Sequence, residues 1–196
     1  MFRKFACLLS FLAVVLVSGC TTTTEGEPQV TRQEQVSELA RGIRALGPNV
    51  DPEEAERAAR IAYEYTGQLA VEYQITDSAI VHNMKVNQGL RPRGLCWHWA
   101  EDMETRLKQE NFETLELHRA IANASNPFRL EHSTAIVSRR GDTMNEGVVL
   151  DPWRYGGELH WAPTLEDTRY NWRPRLEVLE EKRLRRMKRG LERLQG

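Results

Sequence analysis

The chain reads as an α+β domain. Apolar residues recur at three- and four-residue steps through its first half, three strand-like runs follow between residues 112 and 151, and a basic helical pattern closes it. Helices followed by strands favour an antiparallel sheet packed against a helix that starts at Cys96.

Residues 1–19 hold Arg3 and Lys4, then an apolar stretch from Phe5 to Val17, then Ser18 and Gly19 before Cys20. Charge, apolar core and small residues in that order form an export signal, and the apolar stretch is shorter than the roughly 20 residues a bilayer span needs. The small residues leading to a cysteine resemble the lipobox of bacterial lipoproteins, which implies cleavage after residue 19 and acylation of Cys20. Thr21 at the next position, in place of an aspartate, resembles lipoproteins sorted to the outer membrane. The expected location is therefore the periplasmic face of that membrane, with the membrane itself a partner through the lipid. Residues 20–34, rich in Thr, Glu, Gly and Pro without apolar periodicity, read as a tether. Without residues 1–19 the chain carries 25 basic and 28 acidic side chains, a formal charge of −3, so nucleic acid is not an expected partner. The remaining residues suffice for one domain, 35–173, followed by a terminal helix, 174–196.

Val36, Leu39, Ile43 and Leu46 mark a first amphipathic helix that Gly47-Pro48 ends. Asp51 as N-cap and Pro52 at the first helical position open a second, Ala-rich helix reaching about Tyr73. Residues 76–94 scatter Asp77, Asn83, Asn87, Gly89, Pro92 and Gly94 among few apolar positions and read as irregular. A third helix runs from Cys96 to about Glu110 on Trp99, Met103 and Leu107. Phe112–Ile121, His132–Ser138 and Gly147–Asp151 read as strands, the last two joined by a polar link around Gly141-Asp142. From Pro174 onward, Leu176, Leu179, Leu184, Met187, Leu191 and Leu194 interleave with Lys and Arg. This basic amphipathic helix suits an anionic lipid surface, a partner helix, or simple packing on its own domain.

With Cys7 in the signal and Cys20 lipidated, Cys96 is the one thiol left in a compartment where paired cysteines are usual. One explanation is a small buried hydrophobe. The other starts from its place after Gly94-Leu95, at the start of a helix, where unpaired N–H groups and the helix dipole favour a thiolate and can hold an oxyanion. A thiol nucleophile needs a base, and the base needs an orienting group. In a hairpin centred near Asp142 facing residues have numbers summing to about 284, which sets Asp151 opposite Ser133 or His132, and a one-residue change of register decides whether they share a face. His98, His118 and His160 lack such a setting and read as structural. A zinc site from Cys96, His98 and His132 lacks the four ligands and short paired spacings that structural zinc takes, so no metal and no cofactor is expected.

The pieces Gly94-Leu95-Cys96-Trp97, Glu131-His132-Ser133-Thr134-Ala135-Ile136-Val137 and Val148-Val149-Leu150-Asp151-Pro152-Trp153 resemble the transglutaminase-like branch of the papain-like cysteine enzymes. The resemblance spans roughly residues 90–162. It implies a cysteine-led helix on an antiparallel sheet and acyl transfer from amides through a thioester, with Cys96 as nucleophile, His132 as base and Asp151 as orienting carboxylate. It also implies a peptidase or amidase acting on an envelope protein or peptide, or a crosslinking transferase. Gln88 is the candidate oxyanion partner, since relatives place a glutamine before the cysteine, although Trp97-His98-Trp99 departs from the polar residues common there. Trp97, Trp153 and Tyr155 are candidates for a substrate groove. The rival expectation is an envelope lipoprotein that keeps the fold as a binding or scaffolding module.

Overall fold

A computed structural model describes residues 31–195; the expected export signal, Cys20 and the expected tether up to residue 30 lie outside the described residues. Helix α1 (Arg32–Arg44) starts earlier than its apolar pattern suggests. Thr31 and Glu34 form a capping box, Thr31 Oγ1 accepting the Glu34 N–H at 3.2 Å and the Glu34 carboxylate accepting the Thr31 N–H at 2.6 Å, so residues 32–34 of the expected tether are helical. Helix α2 (Pro52–Glu72) is capped by Asp51, whose Oδ1 takes the N–H groups of Glu53 and Glu54. Its Ala55, Ala58, Ala59 and Ala62 are buried, and their small size lets α1 and α4 approach closely.

Helix α3 (Ala79–Asn87) occupies part of the segment read as irregular. Its buried residues are Ala79, His82 and Asn83, at helical spacing but with two polar side chains, so apolar periodicity misses it. Helix α4 (Cys96–Lys108) follows, burying Trp99, Met103 and Leu107.

Five antiparallel strands form one sheet: β1 (Leu115–Ala122), β2 (His132–Arg139), β3 (Val148–Asp151), β4 (His160–Pro163) and β5 (Arg173–Pro174), in the order β4-β3-β2-β1-β5. The three strongest are those the sequence predicts; β4 and β5 add short edges. β2 is central and buried along all but its last residue. On one face Ala135 and Val137 meet Leu115, Val148 and Leu150 beneath α1, α2 and α4. On the other, Ile136, Val149, Ala120 and Ala122 are covered by Met144 and Trp172, with Tyr170 beside them. The β2–β3 register pairs Ala135 with Leu150 and Ile136 with Val149. Residue numbers therefore sum to 285, one more than expected, and by period two His132 shares a face with Asp151, one pair further along.

Helix α5 (Arg175–Gln195) buries Val178 and half-buries Leu179, whereas Leu184, Met187 and Leu191 are exposed. It packs on its own domain through its first two turns alone.

Candidate active site

Cys96, the first residue of α4, is held in place by the loop before it. Gly94 sits at φ +117°, and a Cβ there would lie 2.3 Å from Nε2 of buried His82, whose ring is in turn bonded to the Arg93 carbonyl at 2.9 Å. Only glycine fits that approach. His98 closes the turn from the helix side, its Nδ1 accepting the N–H groups of Gly94 at 3.2 Å and Leu95 at 3.1 Å. Burial and the neighbouring Arg93 push its pKa below the ordinary imidazole value. The Trp99 indole N–H adds a bond to the Gly94 carbonyl, and Arg93 ties back to Asp102 at 2.8 Å. His98 thus has a capping role, with Nδ1 unavailable to a metal.

His132 opens β2 and is 1 % exposed; its Nε2–H donates to Asp151 Oδ2 at 2.7 Å. The ring is packed among Trp153, Tyr170 and Trp172, with centroids 4.6, 4.7 and 5.2 Å away. Asp151 is held a second time by Arg154, whose Nε donates to Oδ2 at 2.9 Å and whose backbone N–H donates to Oδ1 at 3.2 Å. Arg154 spans to a further carboxylate, Asp167, which also accepts the Trp172 indole N–H at 2.9 Å. Burial works to raise the Asp151 carboxyl, but His132 and Arg154 outweigh it and hold the group below the usual carboxylate range. With Nε2 committed, His132 Nδ1 is buried and has no hydrogen-bond partner among the described residues. An orphaned buried nitrogen costs free energy and calls for an explanation.

The thiol reaches the end of the sheet from the helical side, whereas the imidazole projects toward the Trp172 face. They meet edge on. Cys96 Sγ donates to the Glu131 carbonyl at 3.7 Å, so the sulfur lies against the main chain just before His132, and the N–H groups of Ser133 and Trp97 favour its charged form. The structure shows no Sγ–Nδ1 hydrogen bond. Burial, above all, pushes the thiol up to about 11. The expectation of a thiol pKa lowered by the helix N-terminus is thereby corrected: 8 % exposure between Trp153 and Ala79 outweighs the favourable dipole.

A cavity of about 400 Å³ opens beside Cys96 and Trp97, walled by Leu95, Ile121, Leu130 and Leu179. Of the other groove candidates, Trp153 is buried behind the thiol and Tyr155 is exposed away from the cavity, where its ring meets His160. Gln88 is exposed at the end of α3 and outside the cavity, because the helix between residues 79 and 87 turns it outward. Asn83, on the buried face of the same helix, lines the cavity instead. Its Oδ1 accepts the Trp153 indole N–H at 3.0 Å, so its Nδ2 keeps its donor capacity. Neither Asn83 nor the Arg154–Asp167 bridge was identified from sequence. The only signal the sequence carries is an asparagine at helical spacing from Ala79. Family models, curated proteins and solved structures were all compared with the chain, and none matches it.

Proposed function

We propose that the chain is a papain-like, transglutaminase-like thiol hydrolase acting on an amide bond, with Cys96 as nucleophile, His132 as general base and acid, and Asp151 as the group that orients the ring. The observation that carries this reading is the buried His132–Asp151 pair, which leaves Nδ1 open, together with a thiol on the first turn of a helix that lies against the carbonyl of Glu131, the residue before His132. Burying a carboxylate, an imidazole, a guanidinium and a second carboxylate together costs desolvation that an apolar core avoids. Networks of this kind concentrate where chemistry is done.

In this mechanism an amide carbonyl enters the cavity and Sγ turns from the Glu131 carbonyl toward Nδ1. The thiol proton passes to Nδ1 as sulfur bonds the carbonyl carbon. The oxyanion is met by main-chain N–H groups at the start of α4 and by Asn83 Nδ2. Nδ1 then protonates the departing amine nitrogen as the C–N bond breaks, leaving a thioester. Water, deprotonated by Nδ1, attacks the thioester and releases the acid and the thiol. With an acylated Cys20 anchoring it at the periplasmic face of a membrane, the domain would meet envelope proteins or peptides.

The high thiol pKa and the missing Sγ–Nδ1 bond favour a second reading, a binding or scaffolding lipoprotein. Iodoacetamide labelling of Cys96 against pH separates the two. For the enzyme, labelling below pH 8 should be measurable and should fall at least tenfold in His132→Ala. A profile that climbs only toward pH 11 and is the same in parent, His132→Ala and Asp151→Asn would establish the scaffold.

A further inference from the structure

Resting on the hydrolase reading, we propose that Arg119 and Arg175 make the cavity beside Cys96 a carboxylate-recognising subsite, so that the substrate is a peptide bearing a carboxylate close to the scissile amide. Arg119 projects from β1 toward the start of α4, where Nη2 donates to the Trp97 carbonyl at 3.3 Å, one residue beyond the thiol. Its side chain is 10 % exposed and its Nε has no hydrogen-bond partner among the described residues. The carboxylate within its reach, Glu104, lies 3.4 Å away and is shared with Lys108 at 2.8 Å. Buried guanidinium groups normally satisfy their fork of donors with a well-aligned carboxylate, and this one is left underused.

Arg175, the first residue of α5, lines the same cavity and makes no ion pair or hydrogen bond among the described residues. Two acidic side chains also border the space. Glu131 is engaged by Lys182, and Glu101 faces Arg93 at 3.9 Å. Of the cavity's carboxylates Glu131 is hydrogen-bonded to a cation and Glu101 is exposed at the rim, while its two guanidinium groups retain free donors. Arg119 and Arg175 also border a second cavity, of about 640 Å³, along Leu117, Pro174 and Leu176, whose carboxylates Glu104 and Asp142 are paired with Lys108 and Arg139. A peptide lying across both would carry its anionic group over the arginines, with Trp97, Leu130 and Leu179 against its apolar atoms. An incoming carboxylate would displace water from a site where screening is weak, so the pairing is strong and falls with ionic strength.

The test uses full-length protein in detergent and two thiol-directed probes, chloroacetyl-Ala-Glu with its carboxylates free and chloroacetyl-Ala-Gln-amide, each forming a thioether with Cys96 by loss of chloride. Iodoacetamide serves as the reference reagent. The carboxylate probe should label at least tenfold faster than the amide probe at low salt. Arg175→Gln and Arg119→Gln should each remove most of that preference while changing iodoacetamide labelling less than twofold, and Arg119→Lys should restore part of it. Equal rates for the two probes in the parent, or a preference that survives Arg175→Gln, would overturn the subsite. Arg175 is half-exposed at a helix start, so that variant keeps the test decisive if Arg119→Gln fails to fold. Failure of the hydrolase reading looks different, because iodoacetamide labelling would then be insensitive to His132→Ala whichever probe is faster.

Discussion

Arg154 is 3 % exposed in its side chain and joins Asp151 to Asp167, which are 1 % and 3 % exposed in theirs. Replacing it with methionine keeps the length and removes the charge. At an effective dielectric of about 20, a unit pair 4 Å apart is worth about 4 kcal/mol. Stripping one partner from a buried pair costs about 3–5 kcal/mol. Two carboxylates lose the same guanidinium here, but Asp151 keeps His132 and the Arg154 backbone N–H, and Asp167 keeps the Trp172 indole. The single-pair range therefore applies, and at about 2–4 °C per kcal/mol for a domain of this size it lowers Tm by about 6–20 °C. Urea unfolding at pH 7 of parent, Arg154→Met, Asp167→Asn and the double variant would measure it. The double variant should recover at least about 2 kcal/mol relative to additivity, because one of the stranded charges is gone. Because the Asp151 carboxyl is held below its ordinary value, its contribution is present above about pH 4 and is lost as pH falls through the folded value. Arg154→Met raises that folded value, so acidification should cost the variant less stability than the parent. A single variant within about 1 kcal/mol of the parent at pH 7, and additive with Asp167→Asn, would refute the view that this bridge holds the site together.

Three further outcomes follow from the same geometry. Gly94→Ala should cost about 2 kcal/mol or more in urea unfolding and slow Cys96 labelling, since its Cβ meets His82 Nε2 at a φ that disfavours any side chain; an unchanged midpoint would mean the loop is free to move. His98 accepts two N–H groups and has a lowered pKa, so its contribution is present above about pH 6.5 and is lost as pH falls below it. The parent should thus lose more stability than His98→Gln between pH 7 and pH 5, and parallel curves would contradict the capping role. Asn83→Ala should reduce turnover of a thioester or amide substrate about 10²–10³-fold with little change in KM, as loss of one oxyanion donor does; a change confined to KM would assign Asn83 to binding instead.

The pairing of His132 with Asp151 was readable because both lie in short β-branched runs joined by a polar link, where period-two alternation leaves few registers. Even there, one unit of register separated the expected sum from the observed 285, and only the observed one places the two side chains on one face. Arg154 and Asp167 are 13 residues apart across a loop, and no periodicity brings two such charges together. Helix α3 escaped notice because it buries His82 and Asn83 where an amphipathic pattern would show leucines. Its helical turns are also what carry Gln88 outward and Asn83 inward. β4 and β5, four and two residues long, lack the β-branched run that marks the equally short β3. The environment of Cys96 was misjudged for a related reason. A helix start is a local property visible in Gly94-Leu95-Cys96, whereas burial of the sulfur depends on Trp153 and Ala79, brought in from distant parts of the chain.

The stack of indoles around His132 also makes the site its own optical gauge. An imidazolium ring close to an indole draws off its excited-state electron density and dims its emission, and Trp153 and Trp172 both lie within van der Waals reach of this ring. The protonation change that the proposed mechanism requires of His132 can therefore be followed by the protein's own ultraviolet light, with no attached dye. Trp153→Phe and Trp172→Phe would separate these two emitters from Trp97, Trp99 and Trp161.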